Sequence, residues 1–267
     1  MRGIAALPGL IRLYLWNCGL DISRSMAYRF NFIAGTLISL LSSGVAPIVQ
    51  YLIFTTTNGY PGWTVKQLIL FQGVMLLWGG LRSMLFGRVF TEAMSLVRNG
   101  DFDRLLVKPY PPIGVLLSSG FQLNGIGPTL GGVVIIILAA NALDAPMYWW
   151  TLPLFLAMLV FGILLLVSLL ILLCSVVIML VQMGRMGDLF QKITSFADYP
   201  MNIYPKSLKQ FFSIFLPFAL WINFPAEVLL ARLDMMMVWG AIASVVLLYL
   251  SNWVWNLCLS KYSSAGG

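Results

Sequence analysis

The chain contains no histidine, and charge is scarce: only 9% of its 267 residues are Asp, Glu, Lys or Arg. The missing histidine removes the commonest general base and the commonest metal ligand together. Three cysteines, Cys18, Cys174 and Cys258, are odd in number and far apart, which argues against a disulfide framework or a zinc site. There is no Gly-x-x-x-x-Gly-Lys-Ser/Thr loop; the nearest approach, "GFQLNGIG", lacks the lysine and does not cradle a nucleotide phosphate in the usual way. A Gly-x-Ser-x-Gly nucleophile turn is also missing.

What is present is apolar. Residues 30–65, 109–143, 145–184 and 235–260 carry no Asp, Glu, Lys or Arg. Roughly 20 apolar residues cross a bilayer core as a helix, and a soluble domain of this length does not hold four such runs. Lipid-exposed backbone must satisfy its own hydrogen bonds, so the spans are helices. The runs do not alternate as barrel strands do. The net charge of +7 does not signal nucleic acid, because the basic residues sit at the ends of apolar runs, as the positive-inside bias requires. The expected fold is therefore an all-α polytopic membrane protein.

Residues 1–29 hold Arg2, Arg12, Arg24 and Arg29 without a long apolar core. They read as an interfacial helix rather than a cleavable signal peptide, with Ile11, Tyr14, Leu15, Cys18, Ile22 and Met26 at helical spacing. Hydropathy places spans near 30–54, 67–88, 113–140, 151–181 and 236–259. Between the first two, "TTNGYPGWT" is turn-rich. Gly127-x-x-x-Gly131 in the third span suits close helix approach, either within one bundle or between subunits. Asp144 and the aromatic cluster Tyr148 to Trp150 follow it.

The stretch "RNGDFDRLLVKPYPP", residues 98–112, concentrates five charges in an otherwise apolar chain. Residues 88–99 before it are amphipathic, and Asn99-Gly100 is a helix stop. Asp101 and Asp103 suit the start of a further helical turn, which Pro109, Pro111 and Pro112 end. Residues 182–234 are harder to read. "QMGRMGDLFQKITSFADYP" is amphipathic, with Arg185, Asp188, Lys192 and Asp198, and the apolar patches after it are short and broken by Pro205, Pro217 and Pro225. Such patches read as re-entrant or interfacial.

Two stretches, "EAMSLVRNGDFDRLLVKPYPP" and "FADYPMNIYPKSLKQFFSIFLPFALWINFPAEVLL", resemble the membrane permease subunits of type-2 ATP-binding-cassette exporters, in a six-span branch. The resemblance implies a single transmembrane permease domain over 1–267, with an N-terminal interfacial helix at 1–29 and a cytoplasmic coupling element at 88–108. It also implies an outer re-entrant helical hairpin at 202–231, and makes the polar stretch 184–200 the fifth of six transmembrane helices. Both termini then face the cytoplasm, at a bacterial inner membrane. Partners would be separate ABC ATPase subunits carrying ATP and Mg, and a second permease copy or a paralogous one. The bilayer surrounds them, and no nucleic acid is involved.

On this resemblance the ATPase-coupling residues are Glu92, Arg98, Gly100, Asp101, Asp103 and Arg104. Asp188, Lys192 and Asp198 either line the export path or pair internally, since charge at membrane depth is costly unless it faces the bundle interior and Asp188 and Lys192 are four apart on one helix. The chain would not be catalytic by itself. The competing reading is a membrane-embedded metal-dependent transferase in which Asp101 and Asp103 hold a divalent cation. A secondary transporter is disfavoured, because the single broken region has no counterpart in residues 1–130.

Overall fold

The computed structural model describes residues 7–57, 59–143, 148–179 and 186–262. Arg2, Asp144 and Arg185 lie outside them. Among the described residues there are only helices and loops. Among the described residues five stretches are long and apolar enough to cross a bilayer: Arg29–Thr56, Val65–Arg98, Leu123–Ala142, Thr151–Met179 and Met235–Ser260.

Helix α1, Leu7–Ala27, lies against the start of the bundle. Its Leu10, Tyr14, Asn17 and Asp21 recur at helical spacing on the packed face: Leu10 fills the space beside Gly114, and the Tyr14 hydroxyl donates to the Leu85 carbonyl at 3.2 Å. Ile11, Leu15, Ile22 and Met26 are left exposed, the arrangement expected of a helix lying in an apolar boundary. The first span is interrupted at Gly44 into α2 (Arg29–Ser43) and α3 (Val45–Thr56). Only 6% of its most apolar window is buried.

Helix α4, Val65–Phe86, starts in a capping box in which Thr64 and Gln67 satisfy each other's amides. It is followed by α5 (Val89–Arg98), α6 (Phe102–Leu106) and α7 (Pro112–Ser118), then by α8 (Ile126–Ala142). Helices α4 and α8 cross with backbones in contact: a Cβ on Gly80 would strike Thr129, and one on Gly132 would strike Leu77. Gly127 and Gly131 face Thr36 and Leu40 of α2, so this pair of glycines packs helices within the chain.

The apolar run at 109–143 is not one helix. It breaks between Ser118 and Leu123 because that segment pairs with the break at the end of α4. The Arg88 amide donates to the Gly120 carbonyl at 3.2 Å, and the Gln122 amide donates to the Met84 carbonyl at 3.0 Å. Each helix break leaves backbone groups without intrahelical partners, and here the two breaks satisfy one another.

Helix α9, Thr151–Met179, is the central post, packed by α13, Met235–Ser260. Between them come α10 (Met186–Thr194), a 3₁₀ turn at Ser195–Asp198, α11 (Lys206–Gln210) running into a π turn at Phe211–Phe215, and α12 (Asn223–Leu229). This irregular stretch is deeply buried around Trp221. Phe218, Ala219, Leu220, Trp221, Ile222 and Ala226 have almost no exposed surface. Trp221 stacks on Trp78 with centroids 5.6 Å apart and donates to the Gly162 carbonyl at 3.1 Å. Three residues past the end of α12, Arg232 reaches the Gly62 carbonyl at 2.9 Å and Gln67 Oε1 at 3.0 Å. The segment thus descends to Trp221 in the bundle interior and returns to the end where the Gly59–Thr64 turn lies.

Candidate functional site

The charged block forms a rigid projection at one end of the bundle. Val89, Ala93 and Val97 of α5, spaced four apart, are buried together with Phe102 and Leu105 of α6. Phe90 and Met94 are only partly buried beside them. Between α5 and α6 the chain turns in a Schellman motif, with the Asp101 amide donating to Leu96 at 2.9 Å and the Gly100 amide to Val97 at 3.3 Å. Gly100 has φ +74°, a left-handed conformation that costs a side-chain-bearing residue about 1–2 kcal/mol.

Every coupling residue expected from sequence lies on this projection. Glu92, Arg98, Gly100 and Arg104 are exposed, and Asp101 and Asp103 are partly so. Asp101 occupies the helix N-cap but makes no capping bond; its Oδ1 pairs with Arg104 Nη1 at 3.0 Å. Asp103 lies beside Tyr262, whose ring meets Phe102 at 5.0 Å, and burial together with the Asp103 carboxylate raises the Tyr262 hydroxyl above its ordinary pKa. The two aspartates are therefore engaged separately. Among the described residues no group of three or more His, Cys, Asp or Glu side chains is placed to hold a metal ion. Leu106 and Val107 add an exposed apolar tip, Val107 being 84% exposed.

The projection is fastened from behind by a residue that sequence reading passed over. Asp21 of α1, only 7% exposed, pairs through Oδ1 with Arg88 Nη1 at 2.8 Å and accepts the Leu123 amide on Oδ2 at 3.1 Å. Asn17, one helical turn earlier, donates to the Ser118 carbonyl at 2.9 Å. One carboxylate thus ties α1 to the residue that opens the projection and to the start of the helical turn that follows it.

Of the three expected path residues, Asp188 and Lys192 are exposed, and among the described residues no ion pair joins them. Asp198 is partly buried and enters a different constellation. It shares a cavity of about 140 Å³ with Arg82, Gln191, Thr194, Ser195, Met75, Trp78, Trp221 and Ile222. The Asp198 carbonyl accepts from Gln50 Nε2 at 2.6 Å. A second cavity of about 260 Å³ shares Arg82 and Gln191 with the first and extends past Phe86 and Phe90 to Leu166 and Leu170. Neither Arg82, a charge near the end of the second span, nor Gln50 is among the path residues expected from sequence. A Gln inside an apolar run is the signal that could have marked Gln50.

The sequence matches the family described as ABC-2 family transporter protein over residues 40–266. No curated protein matches it. The matched region includes both cavities, the projection from Val89 to Lys108 and the buried turn at Trp221, and the family implies partnership with ABC ATPase subunits. A match over most of a chain with five span-length apolar helices is decisive for class: the protein belongs to the ABC-2 transporter family and is a multi-pass membrane transport permease.

Proposed function

We propose that this permease is the membrane half of an ATP-driven exporter, and that residues 88–108 receive the push of a separate ATPase. The observation that carries this reading is the build of the projection. An apolar stripe of Val89, Ala93, Val97, Phe102 and Leu105 is buried against the bundle, while Glu92, Arg98, Arg104, Leu106 and Val107 face outward. An element that must transmit force needs a stiff inner face and a specific outer one. ATP and Mg act on the partner, since this chain has no phosphate-cradling loop.

Six crossings, with both ends on the cytoplasmic side of a bacterial inner membrane, fit the same reading. The Tyr262 end of α13 meets Phe102 of the projection, and α1 is fastened there too. Helix α10 and its 3₁₀ turn have nine and four residues, roughly 20 Å at 1.5–2.0 Å per residue. That is short of the roughly 30 Å of a bilayer core. The buried turn at Trp221 occupies the remaining depth, as a re-entrant element at 202–231 would. The exposed polar side chains of α10, Asp188, Gln191 and Lys192, do not belong against lipid. They support a polar path shared with a second permease, and the barely buried first span offers further surface for that partner.

The metal-dependent transferase is the weaker reading, because Asp101 and Asp103 are engaged by Arg104 and Tyr262 rather than by one another. Purification in a gentle detergent, with mass spectrometry of what accompanies the chain, tests the choice. A stoichiometric ATPase that is lost on Asp101→Arg with Asp103→Arg is the expected result. A chain that purifies alone and stable, with metal-dependent turnover, would reverse the assignment.

A further inference from the structure

The cavity between α4, the Ser195–Asp198 turn and the Trp221 turn contains more polar capacity than the protein satisfies. Trp78 is 3% exposed and lines it, and its Nε1 donor has no partner. Next to the lining, Gln50, 4% exposed, gives its amide to the Asp198 carbonyl and leaves Oε1 without a donor. Among the described residues, Arg82 makes neither an ion pair nor a hydrogen bond, although Asp198 lines the same cavity of about 140 Å³. Buried polar groups are almost always hydrogen-bonded, and exceptions demand an occupant or a reason. Ionisable groups inside a membrane bundle mark ligand paths for the same reason.

Arg82 and Asp198 are opposite charges that share a small chamber without closing on each other. A ligand carrying only an anion would serve Arg82 and leave the carboxylate facing it. A ligand carrying only a cation would do the reverse. An uncharged ligand would leave both unpaired, which is the costly arrangement in a low-dielectric interior. A group with an ammonium and an anionic oxygen a few bonds apart serves both, and a remaining oxygen accepts from Trp78 Nε1, the Thr194 hydroxyl being already engaged with the Gln191 carbonyl at 3.1 Å. The neighbouring cavity shares Arg82 and Gln191 as lining residues and is walled by Phe86, Phe90, Phe190, Leu166 and Leu170 beside Ser83 and Gln122, which places a largely apolar space next to the chamber for any attached body.

We propose that this chamber is a binding site for a zwitterionic head group, held by Arg82 on its anionic side and Asp198 on its cationic side. The proposal rests on the permease reading and adds the chemistry of its cargo. Two sources share this chemistry, a zwitterionic lipid head and a small free zwitterion such as a peptide, and the test separates them.

The test uses the permease with whatever ATPase accompanies it, in an uncharged maltoside micelle so that no lipid head competes. Tryptophan emission, to which the stacked Trp78 and Trp221 contribute, reports titration with four probes: dihexanoylphosphatidylethanolamine, dihexanoylphosphatidylglycerol, trialanine, and hexyl glucoside as an uncharged control. Saturable binding of the ethanolamine lipid alone assigns a lipid source. Saturable binding of trialanine alone assigns a free solute, and binding of both shows that the head is sufficient. Arg82→Gln and Asp198→Asn should each weaken binding by about tenfold to a hundredfold, the value of one charge-assisted hydrogen bond.

The double variant Arg82→Gln with Asp198→Asn leaves no lone charge in the chamber. It should fold at least as well as either single variant and still not bind. The phosphatidylglycerol probe binding as tightly as the ethanolamine one would overturn the zwitterion assignment. Binding that survives the double variant, or absence of binding in a thermally stable wild-type complex, would leave the chamber as a water pocket and overturn the site. That outcome is independent of whether an ATPase accompanies the chain, so the two readings fail separately.

Discussion

Asp21 Oδ1 lies 2.8 Å from Arg88 Nη1, and the other oxygen of the same carboxylate accepts the Leu123 amide at 3.1 Å. The pair is asymmetric: Asp21 is buried, whereas the Arg88 side chain is 45% exposed. Solvent screens the guanidinium and weakens the ion pair, so the amide is the contact whose loss matters more. An unsatisfied buried amide costs about 1–3 kcal/mol. Asp21→Asn retains an oxygen for the Leu123 amide and gives up only the charge. Asp21→Ala gives up both. The expected order of melting temperature in detergent is wild type, then Asp21→Asn, then Asp21→Ala. Equal losses for the two variants would show that the amide contact contributes nothing.

Gly100 makes a second, purely local prediction. Nothing lies within 4 Å of a Cβ placed there, so substitution meets no clash and only the backbone angle is strained. Gly100→Val should destabilise the projection by about 1–2 kcal/mol, while Gly100→Asn, which tolerates the left-handed conformation, should lie close to wild type. Limited proteolysis between Arg98 and Lys108 reads the difference. Equal cleavage of both variants would sink the Schellman account.

At the far end of the bundle, Arg232 holds the Gly59–Thr64 turn. It donates from Nη1 to the Gly62 carbonyl and from Nη2 to Gln67 Oε1, and its guanidinium lies 5.7 Å from the Trp63 ring centroid. Lysine has neither the planar fork nor the stacking face. Arg232→Lys should therefore lower the melting temperature nearly as much as Arg232→Ala. A lysine variant indistinguishable from wild type would mean that charge alone is what the turn requires.

Glu227, outside the five span-length helices, carries a pH signature. Burial raises its carboxyl above the ordinary value, Asp234 adds to this, and Asn223, Lys209 and Arg232 oppose it. The folded protein consequently binds the proton more tightly than the unfolded chain does. That contribution favours the fold in acid, below the ordinary carboxylate value, and is lost as the pH rises through the folded one. Glu227→Gln should raise the melting temperature near neutral pH, and the gain should vanish in acid. A gain that does not depend on pH would point to packing instead.

Much of this architecture was legible without coordinates. Bilayer thickness and the absence of water select long apolar helices from composition, so five spans emerge from 30–54, 67–88, 113–140, 151–181 and 236–259. Local stereochemistry likewise marks the stop at Asn99-Gly100 and the buried stripe of α5. Asp101 was only partly legible: its position at a helix start follows from sequence, but Arg104 takes its carboxylate in place of the helix amides.

What escaped the sequence depends on partners distant along the chain. Asp21 and Leu123 are 102 positions apart, and Gln50 and Asp198 are 148 apart. No periodicity encodes such a meeting. The break in the apolar run at 109–143 is of this kind, because only the adjacent break after Phe86 supplies partners for its freed backbone groups. The sequence by itself determined which segments are apolar enough to leave water, because that depends on each residue's own transfer energy. Only the tertiary structure decided which polar groups meet inside, such as Asp21 with the Leu123 amide, because that depends on how the helices pack.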